Sequence, residues 1–118
     1  DIGKDVLVNE ALNNLEAIIQ SIARDYPLTE IKLLSTLPVN EGEEYKQTVY
    51  IRTNEKIQKW NQAYQELASA YMQVEFLSVF DSLTDQAGQL KKDYTTDGLH
   101  LSVAGYQVLT KALKGYLY

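Results

Sequence analysis

The chain has no cysteine, and in 118 residues it has one histidine, one tryptophan, one methionine and two prolines. Without cysteine there is no disulfide staple, no thiolate zinc site and no cysteine nucleophile, and the redox compartment is left open. The single histidine, His100, excludes a two-histidine metal site and is the sole imidazole for acid–base chemistry. No apolar run approaches the ~20 residues of a membrane-spanning helix, and Asp1-Ile2-Gly3-Lys4-Asp5 does not resemble a signal peptide. Basic residues are outnumbered, 11 against 16 acidic, for a net charge of −5 and a pI near 4.8. That balance argues against the clustered Lys and Arg of a nucleic-acid interface. The remainder, 45% hydrophobic and 23% charged, is an ordinary globular mixture at a length that suits one domain at most.

Over residues 5–23, Val8, Ala11, Leu12, Leu15, Ile18, Ile19 and Ile22 recur at spacings of three and four, the stripe of an amphipathic helix stopped by Tyr26-Pro27. Residues 31–37 form a short apolar run that reads as a strand buried on both faces and ended by Pro38. Residues 39–49, with Asn40, Gly42 and three Glu, read as a surface loop of the kind that borders active sites. A second stripe, Ile51, Ile57, Trp60, Tyr64, Leu67, Ala68 and Tyr71, predicts another helix, followed by a second strand at 74–80 and a loop with a short helical turn at 81–93. Ser102 is placed to cap a terminal helix reaching about Leu117, with Val103, Tyr106, Leu109, Leu113, Tyr116 and Leu117 at helical spacing.

Strands separated by long amphipathic helices imply crossover connections, a parallel sheet and an α/β fold. Two strands are few for a sheet covered on both faces, and no strand feeds the first helix. The pattern therefore predicts part of a larger domain, with roughly 60 to 90 residues upstream. A truncated sheet has an unpaired edge, so self-association between copies is expected of the isolated chain.

His100 stands three residues after Asp97, with Gly98 between them and a helix start just beyond. Glycine lets the backbone turn sharply, so the carboxylate can fold back to accept the Nδ1 proton and leave Nε2 free as a base. A carboxylate holding a neutral imidazole in one tautomer is the second half of a Ser-His-Asp apparatus.

Over Asp97-Gly98-Leu99-His100-Leu101-Ser102-Val103-Ala104-Gly105-Tyr106 the chain resembles the SGNH, or GDSL-like, hydrolases. Their last motif is Asp-x-x-His in a phrase like D-G-x-H-L-x-x-x-G-Y. Leu37-Pro38-Val39-Asn40 and Val79-Phe80-Asp81 also look like acetylhydrolase-type members of that family. The resemblance implies a flavodoxin-like three-layer α/β/α sandwich with a parallel sheet, of which residues 1–118 would be the C-terminal fragment of a single domain. It implies a bacterial-type serine carboxylic ester hydrolase acting through an acyl-enzyme, with His100 as general base and Asp97 as its orienting carboxylate.

Asp1-Ile2-Gly3 would be the tail of the family's third motif, Gly-x-Asn-Asp, giving Asp1 a structural role in that turn. The nucleophilic Ser and the oxyanion-hole Gly and Asn would then lie upstream, and the 118 residues alone are expected to be inactive. Ser21, Ser35, Ser69, Ser78, Ser82 and Ser102 all lack a preceding Gly-Asp and are not nucleophile candidates. The expected partner is a small acyl ester, an acetylated carbohydrate ahead of a lipid, with no cofactor.

A short Asp-x-x-His pattern also arises by chance, and a lone Asp before a helix is commonly a turn or cap residue. A non-catalytic α/β binding module or pseudoenzyme is therefore the alternative reading. Of the nine tyrosines, Tyr64, Tyr71, Tyr106 and Tyr116 fall on helix stripes expected to pack on the sheet, with Trp60 in the core. Tyr45, Tyr50 and Tyr94 sit in loops, where they are placed to line a cleft. Glu41, Glu43 and Glu44 have no ordered ligand spacing and read as a solvated loop, so no metal is expected.

Overall fold

A computed structural model describes residues 5–117 and the side chains of residues 9–117; the Asp1-Ile2-Gly3 turn lies outside them. Along the chain come helix α1 (Asp5–Asp25), strand β1 (Ile31–Leu34), the one-turn helix α2 (Lys46–Val49), helix α3 (Asn54–Ser69), strand β2 (Val74–Leu77) and helix α4 (Val103–Leu117). Short 3-10 turns lie at Glu43–Tyr45, Asp81–Leu83 and Lys92–Tyr94. β1 and β2 pair in parallel, Ile31 opposite Val74 through Leu34 opposite Leu77, with α3 as the crossover between them. This is the α/β arrangement expected from the alternation of stripes and apolar runs.

α1 buries Ile19, half-buries Leu12, Leu15 and Ile22, and packs against α3. Its partner's far end is tied back to it by Tyr71, whose hydroxyl donates to Glu16 at 2.8 Å and accepts from Gln20 at 3.2 Å. Thr53 caps α3, its hydroxyl accepting from the Lys56 N–H at 3.2 Å. The cap sets the helix start at Asn54, so Ile51 is left outside the helix and exposed, and Tyr71 lies beyond its end. Trp60 is buried on α3, edge-on to Tyr64 with ring centroids 5.6 Å apart.

Both strands are shorter than the apolar runs that announce them, and β1 is not buried on both faces. Lys32 lies directly across from Glu75 on the outer face and pairs with it, and burial alternates along β1. The Ser35 N–H still donates to the Leu77 carbonyl at 2.9 Å, and past it the chain leaves the ladder as side chains take over its main-chain bonds. Ser35 Oγ accepts from the Val79 N–H at 3.0 Å. On α3, Asn61 accepts from the Thr36 N–H at 2.6 Å and donates to the Thr36 carbonyl at 3.0 Å. Two turns earlier on the same face, Asn54 does the same for Val39, at 2.8 and 2.7 Å. The side chains of α3 thus replace a strand partner for Thr36 and Val39. Beyond them, residues 39–49 are partly helical rather than plain loop.

α4 begins at the predicted cap. Ser102 Oγ accepts from the Gly105 N–H at 3.2 Å and donates to the Asp93 carbonyl at 2.9 Å. Gly105 lets the helix approach so closely that a Cβ there would lie 2.4 Å from the Tyr94 carbonyl oxygen. That approach fixes which face turns inward: Val108 and Leu109 pack on Leu83, Leu90 and Leu101. Val103 and Tyr106 consequently face outward, 76% and 57% exposed, and Tyr116 is exposed too, bonding the Ser78 carbonyl at 3.0 Å. The expectation that Tyr106 and Tyr116 pack on the sheet is corrected accordingly.

Candidate active site

Two apolar clusters hold the segment that carries Asp97 and His100. Leu99 packs on the cluster of Val39, Val49, Ile57 and Phe80, while Leu101 belongs to the cluster of Leu83 and Leu90. His100, between these two inward-facing leucines, projects outward with 72% of its side-chain surface exposed. The alternation of leucine, histidine and leucine is what aims the ring away from the core.

The turn itself is built on Gly98, whose φ is +84°. That left-handed conformation suits glycine, and a Cβ there would sit 2.5 Å from Tyr45 Cβ and 3.0 Å from the Asn40 carbonyl oxygen. The turn brings the Asp97 carboxylate onto three donors. Oδ2 meets His100 Nδ1 at 2.6 Å. Oδ1 accepts from the backbone N–H groups of Leu99 at 2.9 Å and His100 at 2.7 Å. An antiparallel bridge between Thr95 and Leu101 closes the base of the turn.

The side-chain bond from His100, then the two backbone N–H groups, hold the Asp97 carboxyl well below its ordinary value of 3.8, at about 2. A carboxylate that stays ionised keeps the proton of a neutral imidazole on Nδ1, leaves Nε2 unprotonated, and stabilises the ring when Nε2 takes up a proton. Because the folded-state pKa is the lower one, Asp97 adds stability that is fully present above the unfolded value and is lost as pH falls toward 2. Denaturant midpoints measured from pH 5 downward should therefore fall more steeply for the natural chain than for Asp97→Asn, which lacks the titrating group. Parallel curves would contradict that assignment.

The loop after β1 lies beneath the turn. The Asn40 N–H donates to the Gly98 carbonyl at 2.8 Å. The buried Asn40 amide also donates to the Leu90 carbonyl at 2.7 Å and accepts from the Gly42 N–H at 2.9 Å. Glu41 is more than a solvated loop residue: its Oε2 accepts from the Asn54 N–H at the start of α3 and from Gln89 Nε2, at 3.2 and 3.1 Å. Glu44 pairs with Lys92 at 3.4 Å. Tyr45 is half-buried over Gly98, and Tyr94 is half-buried in the Leu83 cluster with the Lys91 ammonium 5.5 Å from its ring centre. These two tyrosines support the turn, while Tyr50 stands exposed at a φ of +57°. Asn40, Asn54 and Thr95 were not singled out as site residues by the sequence. For Thr95 a local signal exists, since a hydroxyl shortly before a glycine turn commonly bonds backbone groups two to three residues on.

Among the described residues no group of three or more His, Asp or Glu is arranged to hold a metal ion, and no helix is long and apolar enough to cross a membrane.

Comparison with solved structures gives a Streptococcus pneumonia protein, named as a candidate platelet activating factor, at 86% identity and a TM-score of 0.94. It matches 100% of this chain and 55% of its own length. A Bacteroides fragilis protein, named as a candidate acylhydrolase, shares 19% identity at a TM-score of 0.73 over 92% of this chain and 50% of that one. A GDSL-like lipase from Bacteroides thetaiotaomicron shares 22% identity at a TM-score of 0.61 over 89% and 51%. The chain thus spans about half the length of each of these proteins. No curated protein gives a significant match. The two Bacteroides structures carry the fold, and the family profile that covers residues 1–108 takes in the whole Asp97–Tyr106 phrase. The chain belongs to the GDSL-like lipase/acylhydrolase family.

Proposed function

We propose that residues 1–118 are the C-terminal part of a single-domain serine carboxylic ester hydrolase, to which they supply the histidine and its carboxylate. His100 Nε2 removes the proton from a serine hydroxyl carried by the upstream part. That serine attacks the ester carbonyl, and the imidazolium returns the proton to the departing alcohol. A water, deprotonated at the same nitrogen, then releases the acid from the acyl-enzyme. Asp97 keeps the ring in the required tautomer and stabilises its charged form. The observation that supports this best is the 2.6 Å contact at Nδ1 on a ring that is otherwise exposed.

A small acyl group is the proposed substrate portion, on a carbohydrate in preference to a lipid. The name of the 86%-identical protein suggests a second alcohol to test, an acetylated phospholipid, which shares the acetyl ester. The full-length protein should release acetate from acetylated sugars and aryl acetates much faster than it releases long-chain acids from matching esters. Faster hydrolysis of the long-chain esters would overturn the small-acyl assignment, and a preference for the acetylated phospholipid would reverse the order of the two alcohols.

A further inference from the structure

Within the turn, side chains and the loop beneath take most of the backbone groups of Gly98, Leu99 and His100. Asp97 takes the N–H groups of Leu99 and His100, and the Asn40 N–H takes the Gly98 carbonyl. Of the remaining groups, the Gly98 N–H and the His100 carbonyl both go to one side chain. Thr95 Oγ1 accepts from the Gly98 N–H at 2.9 Å and donates to the His100 carbonyl at 2.6 Å. Thr95 is only 5% exposed, so its hydroxyl has little access to water, and both of its hydrogen-bonding capacities serve the turn.

We propose that Thr95 is a positioning residue for the Asp97–His100 pair: its hydroxyl spans the turn from within and sets the angle at which imidazole Nδ1 meets the carboxylate. The inference rests on the proposed catalytic role of the pair, but the geometry it explains can be read without catalysis. Thr95 bonds the carbonyl of His100 itself and the N–H of the glycine next to Asp97, so it fixes the backbone on both sides of the contact. Asn40 and Tyr45 back the turn from below and keep it from sliding inward. Without the hydroxyl, the buried Gly98 N–H and the part-buried His100 carbonyl lose this partner, and the turn opens toward solvent to satisfy them. Opening at that point separates His100 from Asp97, because their contact spans only three residues.

Serine keeps the hydroxyl, while valine keeps the shape and loses the bonds. Ring-nitrogen NMR of the full-length protein, with the His100 signals assigned by their loss in His100→Ala, reads the tautomer. At a pH of about 9, where an ordinary imidazole is neutral, the natural chain and Thr95→Ser should show the proton on Nδ1. Thr95→Val should show averaging between the two tautomers, with its backbone amide spectrum otherwise preserved. Should Thr95→Val fail to fold, Thr95→Ala provides the same comparison. In the full-length enzyme, the valine variant should lose about 10- to 100-fold in kcat with KM within about twofold, and serine should restore most of it.

A valine or alanine variant that keeps the Nδ1 tautomer in full overturns the proposal, and so does a natural chain that lacks it. If instead the tautomer responds as expected but His100→Ala hydrolyses esters normally, it is the catalytic role of the pair that fails.

Discussion

Replacing His100 with alanine in the full-length enzyme is expected to lower kcat for ester hydrolysis by on the order of 10⁴-fold or more, with KM within about threefold. The size follows from its two roles in the proposed cycle, base in acylation and acid toward the leaving alcohol, with no second imidazole among these 118 residues to substitute. KM should be nearly unchanged because an exposed ring on the rim of the turn contributes little ground-state binding area. Steady-state release of acetate checks this, with Asp97→Asn as a graded companion. The asparagine variant keeps acceptor capacity but loses the charge that stabilises the imidazolium, so it should fall between the natural enzyme and His100→Ala.

Gly98→Ala should be strongly destabilising, costing about 3 kcal/mol or more. Two penalties add. The left-handed φ of +84° disfavours any Cβ, and the added carbon would overlap Tyr45 Cβ at 2.5 Å and crowd the Asn40 carbonyl. Tyr45 and Asn40 are anchored in the Val39 cluster and to Leu90, so neither can yield without disturbing the core. Gly88 provides the control: its φ is +78°, but no atom lies within 4 Å of a Cβ there. Gly88→Ala should therefore show the conformational penalty alone, about 1–2 kcal/mol. Denaturant midpoints of the two variants give the difference, and equal losses would contradict the close approach beneath the Asp97–His100 turn.

Local patterns were the most legible part of the sequence. The stripe from Ala11 to Ile22, the Ser102 cap and the Asp97-Gly98-Leu99-His100 turn each depend on residues close together in the chain. Periodicity, capping and glycine conformation act over those distances. Strand length was misread because an apolar run does not reveal who takes its main-chain bonds. The predicted strand ran to Leu37, yet Asn61, 25 residues from Thr36, captures the Thr36 backbone, and Asn54 does the same for Val39 just past Pro38.

The inward face of α4 was misread for a similar reason. Its stripe is wide enough to admit two orientations, and Gly105 meeting Tyr94 decides between them. Among the supports of the site, Asn40 and Asn54 carry no distinctive signal, and that of Thr95 is weak, because asparagine and threonine in loops and at helix starts serve as caps and turn formers at many positions. Long-range partners identify Asn40 and Asn54, whereas Thr95 is identified by its bonds to Gly98 and His100, three and five residues on.

The central claim is that the Asp97-held His100 activates a serine hydroxyl. It is tested most directly by the rate at which an organophosphonate modifies the full-length protein, followed by intact mass. The natural protein should gain one phosphonyl adduct on a single serine outside residues 1–118, and His100→Ala should gain it on the order of 10³-fold or more slowly. Modification of His100→Ala at the natural rate, or no adduct on the natural protein, would contradict it.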